Sequence, residues 1–229
     1  MLNVLERGFV WAGGTMFVTS LALTAWSYTM WLGVDREPTG WIGIVINGLL
    51  VTMFALHHSA FAREPIKNRL ATLIPTRLLR SVYVWIASGL LVFMNWFWQP
   101  VGGSIYRVTG WPAWIFAIIQ IAGIWMIARS ARAIDPLELA GIRKPKMTDV
   151  ELQTGGVYGL VRHPLYFGWV LSVFGAAHMT GDRLTFAVLT TSYLVIAIPW
   201  EERSLEREFG QSYRLYKQAV RWRIVPYLY

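Results

Sequence analysis

Cysteine is absent from this 229-residue sequence, and charged residues are scarce. Without cysteine the chain has no disulfide, thiolate metal site, iron–sulfur cluster or cysteine nucleophile. Only 15% of the residues are charged, whereas soluble domains average about a quarter. This shortage argues against a soluble domain, because too little polar chain remains to cover a core in a protein that is 55% hydrophobic.

The missing charges leave windows that are long enough to cross a bilayer. A transmembrane helix needs roughly 20 apolar residues, with about 17 as a practical minimum. Windows without charge cover residues 8–34, 38–62, 81–106, 108–128, 164–181 and 184–200. We therefore predict an all-α integral membrane bundle of about six transmembrane helices, of which the first is retained rather than cleaved as a signal peptide.

Lysine and arginine are concentrated in alternate connections between these windows. They are frequent in residues 63–80, in residues 129–162 and in the tail beyond residue 200, and they are rare in the other connections. Short loops rich in lysine and arginine mark the cytoplasmic side, so the pattern predicts that both termini are cytoplasmic. The net charge of +8 then reflects topology and attraction to anionic lipid headgroups, and it does not indicate nucleic-acid binding.

The chain is predicted to divide near residue 128. Residues 1–128 would hold the first four transmembrane helices, which give access to a pocket. Residues 129–229 would hold a long connection, a helical hairpin and an amphipathic tail helix. That helix would either lie in the cytoplasmic interface or cap the bundle. It is predicted from apolar residues at spacings of three and four, namely Leu205, Phe209, Tyr213, Tyr216 and Val220.

Two polar clusters flank the predicted hairpin. Arg162 and His163 stand where the fifth window begins, and Pro164 suits a first helical position. A helix N-terminus with these side chains would bind a carboxylate or phosphate, although the pair can equally mark the membrane boundary and cap the helix. Glu201 and Glu202 follow the sixth window, and they can form an ion pair with the first cluster or bind the hydroxyls or positive charge of a ligand.

The spacing of both clusters resembles a known group of enzymes. Two patterns are similar to those of the isoprenylcysteine carboxyl methyltransferase superfamily, which includes phospholipid methyltransferases. The first begins at Gly156 and reads Gly-x-Tyr-x-x-x-Arg-His-Pro-x-Tyr-x-Gly. The second begins at Glu201 and reads Glu-Glu-x-x-Leu-x-x-x-Phe-Gly-x-x-Tyr-x-x-Tyr. Upstream, residues 56–63 and 134–143 are more similar to the bacterial methanethiol S-methyltransferase and NnrU-like branch.

The resemblance implies an S-adenosylmethionine site at the cytoplasmic end of the hairpin, in a bacterial inner or plasma membrane. The cofactor-binding residues that it implies are Gln153, Tyr158, His163, Pro164, Leu165, Tyr166, Glu201 and Glu202. For a thiol acceptor, cationic groups that favour the thiolate are needed. The candidate catalytic residues are Arg162, His58 and Arg143. No metal site is predicted, because the neighbouring His57 and His58 lie about 100° apart on a helix.

One departure from the family bears on the acceptor. Prenylcysteine enzymes carry an arginine one helical turn before the glutamate pair, where this chain has Ala197. We therefore expect methylation of a small thiol such as methanethiol, with membrane lipids as surroundings. Alternatives are a lipid or prenylcysteine-like acceptor and a non-catalytic NnrU-like membrane protein. A nicotinamide-dependent sterol-reductase-like enzyme is a further alternative, which Leu165 and the Gly168-Trp169 pair do not fit.

Overall fold

The computed structural model describes residues 2–61, 63–132, 136–143 and 151–229. The chain forms two compact units, one of Met1–Gly103 with Ile134–Lys146 and one of Ser104–Ala133 with Met147–Tyr229. The helices are α1 Val4–Trp26 (continued by a π-helical turn, Ser27–Trp31), α2 Trp41–Phe61, α3 Glu64–Ala71, α4 Leu79–Phe97, α5 Ala113–Ala131, α6 Pro136–Leu139, α7 Pro164–Phe174, α8 Gly181–Phe209 and α9 Gln211–Ala219. The strands are β1 Ser104–Arg107 and β2 His178–Thr180, and a 3₁₀ turn covers Gly156–Gly159.

Within the described residues, five helices are long and apolar enough to cross a membrane: Val4–Trp31, α2, α4, α5 and α8. Only 17–22% of the residues in their apolar windows are buried inside the protein, as helices that face lipid require. The prediction of a helical membrane protein is therefore confirmed, and five of the six predicted crossings are helices of sufficient length.

Two polar side chains of the first unit, Asn47 and Trp85, form hydrogen bonds with the backbone of neighbouring segments. Asn47 of α2 is fully buried; its amide donates to the Gln99 carbonyl at 2.8 Å, and its side-chain oxygen accepts from the Gln99 amide at 2.8 Å. Trp85 of α4 donates to the Phe9 carbonyl of α1 at 3.0 Å. Such bonds stabilise contacts between membrane helices, because an unpaired polar group in hydrocarbon is costly.

The fifth predicted crossing is only partly helical. Helix α7 has 11 residues, which span about 16 Å, roughly half of a bilayer core. It ends at Phe174, and residues 175–177 connect it to β2, which pairs antiparallel with β1. The backbone amide of Val108 also donates to the Ala177 carbonyl at 2.8 Å, so strand pairing replaces the missing helical hydrogen bonds. The predicted continuous helix over residues 164–181 is corrected to a helix followed by a strand.

The segment from Pro164 to Thr180 runs antiparallel to α5. A methyl group on Gly123 of α5 would lie 2.5 Å from Ser172 Oγ and 2.6 Å from the Gly168 carbonyl of α7. Further along, Gln120 donates to the Ser172 carbonyl at 2.9 Å. Small residues permit this close approach of two membrane helices. Residues 164–180 therefore accompany α5 towards β1, and this packing fixes the position of the start of α7.

We expect Gly123→Ala to destabilise the second unit by about 1–3 kcal/mol, because the new methyl group would overlap α7. The matched control is Gly8→Ala on α1, where no described residue outside the local helix backbone lies within 4 Å of the added carbon. That change should be neutral or slightly stabilising, since alanine favours a helix. Thermal unfolding in detergent compares the two variants, and equal midpoints would contradict the close α5–α7 contact.

Helix α8 is longer than a bilayer core requires. Its 29 residues span about 43 Å, and it continues through Pro199 to Phe209. Gly210 then adopts a φ of +54°, a conformation that favours glycine, and α9 begins at the next residue. The predicted amphipathic tail helix is thus divided at Gly210 between the end of α8 and α9. Its apolar stripe packs onto the protein: Tyr213, Tyr216 and Val220 are buried against Leu152, Tyr158, Leu205 and Phe209.

Candidate functional site

The two polar clusters predicted from the sequence meet where α7 begins and α8 nears its end. His163 is the residue before α7, and Pro164 is the first residue of that helix. Tyr166, in the first turn of α7, donates its hydroxyl hydrogen to Glu201 Oε2 of α8 at 2.7 Å. This bond joins the two helices of the hairpin at one end.

Glu202 is buried in a network of basic side chains. Its Oε1 accepts from Arg162 Nε at 2.7 Å and lies 3.5 Å from His163 Nε2, and its Oε2 lies 3.6 Å from Arg223 Nε. Glu202 is 4% exposed and Arg162 is 9% exposed. A buried carboxylate needs this compensation, because an unpaired charge away from water is costly.

Arg162 is further committed to the C-terminal segment. Its Nη1 donates to the carbonyl of Val220 at 2.8 Å and to that of Arg221 at 2.7 Å. The backbone amides of Arg162 and His163 donate to the carbonyls of Trp222 and Arg223 at 2.9 and 2.8 Å. The segment after α9 therefore holds the turn that precedes α7, and the guanidinium of Arg162 acts as a structural link here.

Glu201 differs sharply from its neighbour. Its side chain is 43% exposed, against 5% for Glu202, and the basic group nearest to its carboxylate is His163 Nδ1 at 3.6 Å. The ring of His163 stacks on that of Tyr166, with centroids 5.3 Å apart and planes inclined by 10°. Consecutive helical residues point about 100° apart, so one glutamate faces the ion-pair network and the other faces outward.

Two buried polar atoms near this cluster have no hydrogen-bond partner among the described residues, His163 Nε2 and the Tyr213 hydroxyl oxygen. Burial and the charge of Glu202 raise the pKa of Tyr213 far above its ordinary value, so this phenol stays protonated. Buried donors without a partner are uncommon in folded proteins and are more frequent at functional sites.

Tyr158 packs beside the cluster, against the buried tyrosines of α9. It lies in the 3₁₀ turn Gly156–Gly159; its carbonyl accepts from the Tyr216 hydroxyl at 2.7 Å, and its own hydroxyl points to the Ser130 carbonyl at 3.4 Å. Burial and the charge of Glu201 raise the pKa of Tyr158. The turn needs Gly156, whose φ is +61°. Among the described residues, no other part of the chain lies within 4 Å of a carbon added at Gly155 or Gly156.

The remaining predicted residues are divided between the two units. Gln153 and Leu165 are exposed in the second unit, and Pro164 is buried there. His58 and Arg143 belong to the first unit, whereas the cluster belongs to the second. His58 Nδ1 lies 2.5 Å from the Tyr83 hydroxyl oxygen, and Arg143 is exposed. Within the described part of the chain, no three His, Asp or Glu side chains are arranged as metal ligands.

The site also contains residues that the sequence did not identify. Arg223 joins the network around Glu202. Tyr213 and Tyr216 form a buried cluster nearby; the sequence indicated them as part of the motif from Glu201 and of the apolar stripe, without a role in the site. No local pattern marks Arg223 as a partner of Glu202, which lies 21 residues earlier in the sequence. The Tyr-x-x-Tyr end of the motif and the apolar spacing were the available signals for the two tyrosines.

The fold and the site together define the class of this protein: it is an integral membrane protein with a polar cluster at one end of a helical hairpin. Residues 141–212 match the phospholipid methyltransferase family. The chain is 34% identical to methanethiol S-methyltransferase 2 of Bradyrhizobium diazoefficiens over 81% of this chain and 74% of the relative. It is 30% identical to methanethiol S-methyltransferase of Pseudomonas deceptionensis, over 82% and 75%. It is 33% identical to that of Crocosphaera subtropica, over 81% and 75%. No solved structure matches the chain.

The chain thus belongs to the superfamily of integral-membrane methyltransferases that includes the isoprenylcysteine and phospholipid enzymes, on the branch that contains the methanethiol S-methyltransferases. The resemblance inferred from the two motifs is confirmed. The match to the phospholipid methyltransferase family ends at residue 212, so the segment that holds Arg162 in place lies beyond it.

Proposed function

We propose that this membrane methyltransferase transfers a methyl group from S-adenosylmethionine to a small thiol such as methanethiol. The observation that carries the proposal is the contrast within the glutamate pair. Glu202 is neutralised by Arg162, whereas Glu201 keeps an exposed carboxylate beside Tyr166 and His163. The names of the most similar relatives supply the acceptor class.

The chemistry of the cluster fits this methyl donor. S-adenosylmethionine supplies an electrophilic methyl group on a sulfonium, and it carries a net positive charge. Glu201 offers an exposed carboxylate to a ribose hydroxyl or to the amino group, and the Tyr158 and Tyr166 rings offer faces that attract a cation.

Other residues would enclose the cofactor. His163 Nε2, buried without a hydrogen-bond partner among the described residues, can donate to a carboxylate after a small side-chain rotation. Pro164 and Leu165 form the first turn of α7, and Gln153 precedes the open turn at Gly155. Arg162 would act as a positioning residue that keeps His163 and Glu202 in place. The catalytic roles of His58 and Arg143 stay predictions from the sequence.

The reaction that we propose needs positioning more than acid–base groups. A bound S-adenosylmethionine would supply the methyl group. The thiol proton would first pass to water, and the thiolate sulfur would then bond to the methyl carbon as the bond from that carbon to the sulfonium breaks and S-adenosylhomocysteine leaves. The site contributes by holding donor and acceptor in line and by excluding water. We also propose that the site and both termini are cytoplasmic, as the arginine and lysine distribution indicates. A periplasmically active reporter at the C-terminus would contradict that orientation.

Acceptor specificity is tested with purified protein, S-adenosylmethionine and methanethiol in sealed vials. We expect dimethyl sulfide in the headspace and an equal amount of S-adenosylhomocysteine in solution. A matched reaction contains a phospholipid amine or a prenylcysteine in place of the thiol. If the lipid-like acceptor is methylated and dimethyl sulfide is not formed, the thiol assignment is wrong although the enzyme is a methyltransferase.

A further inference from the structure

A groove lined by arginines lies on the far side of α8 from Glu201. It has a volume of about 560 Å³ and is lined by Trp200, Arg203, Glu206, Arg207 and Arg214. Arg203 follows Glu201 by two residues, so about 160° separates them around the helix axis, and Arg207 lies about 120° from Glu201. The groove is therefore distinct from the cluster proposed to hold the methyl donor.

The groove carries an excess of positive charge. Three arginines face one glutamate, a net charge of +2 from the lining residues. Glu206 is already engaged, because its carboxylate lies 3.8 Å from Arg214 Nη1 and 3.4 Å from Lys217 Nζ. Arg207 is exposed and donates to the neutral Ser204 hydroxyl at 3.0 Å. Arg203 is also exposed, and it makes no ion pair with any described residue. Two guanidinium groups thus remain available for an anion.

The same face of α8 is apolar on the membrane side of the groove. Ile196 is 61% exposed and Trp200 is 52% exposed. Ile196, Trp200, Arg203 and Arg207 follow one another at spacings of four, three and four residues, so they lie on one face of the helix. In a bilayer, exposed isoleucine faces acyl chains, and tryptophan prefers the level of the headgroups. The arginines follow one and two turns beyond that level, where phosphate groups lie.

We propose that this groove binds the phosphodiester headgroup of an anionic glycerophospholipid such as phosphatidylglycerol. Arg203 and Arg207 contact the phosphate oxygens, Trp200 lies beside the glycerol, and the acyl chains extend along Ile196. Arginine suits this role, because its planar group donates two parallel hydrogen bonds to a phosphate. The exposed Ile196 and Trp200 next to the arginines favour a lipid over a soluble phosphate, which would make no contact with Ile196.

The proposal is tested by native mass spectrometry of the detergent-purified protein titrated with dioleoyl phosphatidylglycerol or with dioleoyl phosphatidylcholine. We expect tighter binding of phosphatidylglycerol. The variant Arg203→Gln/Arg207→Gln should weaken that binding by about 10- to 30-fold, since each basic group near an anionic headgroup contributes severalfold. Arg203→Lys/Arg207→Lys, which keeps both charges, should recover most of the affinity and so exclude misfolding.

The matched control is Arg7→Gln/Arg69→Gln, which removes two exposed arginines outside the groove. Its affinity for phosphatidylglycerol should stay within about twofold of the unmodified protein. Equal weakening in both glutamine variants would show general attraction to charge and overturn the site. Displacement of phosphatidylglycerol by millimolar inorganic phosphate would assign the groove to free phosphate and likewise overturn the lipid assignment.

Discussion

Replacing Arg162 by alanine is expected to lower the free energy of unfolding by about 3–5 kcal/mol, because it leaves Glu202 buried without its closest partner. The same change removes the donor to the carbonyls of Val220 and Arg221, so the C-terminal segment also loses its attachment. Thermal unfolding in detergent measures the loss. Binding of the methyl donor should fall with it, since Arg162 holds the turn that carries His163.

A double variant separates charge from packing. Arg162→Met/Glu202→Leu removes both members of the buried pair and should be clearly more stable than Arg162→Ala, because no uncompensated charge remains. If the free energy of unfolding of Arg162→Ala lies within about 1 kcal/mol of that of the unmodified protein, Arg162 does not act as a structural link.

The second large effect concerns Glu201. We expect Glu201→Gln to weaken binding of S-adenosylmethionine by about tenfold or more, because a charge-assisted hydrogen bond to the ligand is lost. The unfolding midpoint should hardly change, since Glu201 is partly exposed and outside the buried network. Calorimetric titration gives the affinity, and thermal unfolding of the same sample gives the midpoint.

Two matched variants make this result specific. Glu208→Gln makes the same change of charge at an exposed position on the same helix and should leave the affinity unaltered. Glu202→Gln should instead lower the unfolding midpoint, because Arg162 and Arg223 lose their charged partner. Equal affinities in Glu201→Gln and Glu208→Gln would remove Glu201 from the proposed site.

Hydrophobic length and charge placement were sufficient to predict the helical membrane bundle. Windows of at least 17 residues without charge correspond to the long helices, because a helix is the simplest way to satisfy every backbone hydrogen bond in lipid. The same reasoning could not foresee that α7 stops at Phe174. A short apolar run fits a strand as well as a buried helix, and the strand at His178 depends on pairing with Ser104–Arg107, some 70 residues earlier.

The proximity of four residues of the site was predictable from the sequence, but the different environments of the two glutamates were not. Motif spacing indicated that Arg162, His163, Glu201 and Glu202 lie near one another, and hairpin geometry explains why. Motif spacing does not show which of the two glutamates faces the basic side chains. That distinction arises because helix rotation turns Glu202 towards Arg162 and Arg223, while Glu201 meets the Tyr166 hydroxyl.

The C-terminal segment shows the same limitation. Val220 and Arg221 contribute backbone carbonyls, which leave no trace in side-chain patterns, and their partner Arg162 lies 58 and 59 residues earlier. The sequence instead suggested that Arg162 was available to a ligand. The structure directs its Nε and Nη1 to protein acceptors, which is why we assign it a positioning role and Glu201 the ligand contact.

We propose that the cluster around Glu201 and His163 binds S-adenosylmethionine. This binding is measured by calorimetric titration of the purified protein in detergent, with S-adenosylmethionine and separately with NADPH. We expect saturable binding of S-adenosylmethionine with one site per chain and no detectable heat of binding for NADPH. Saturable binding of NADPH without binding of S-adenosylmethionine would contradict it.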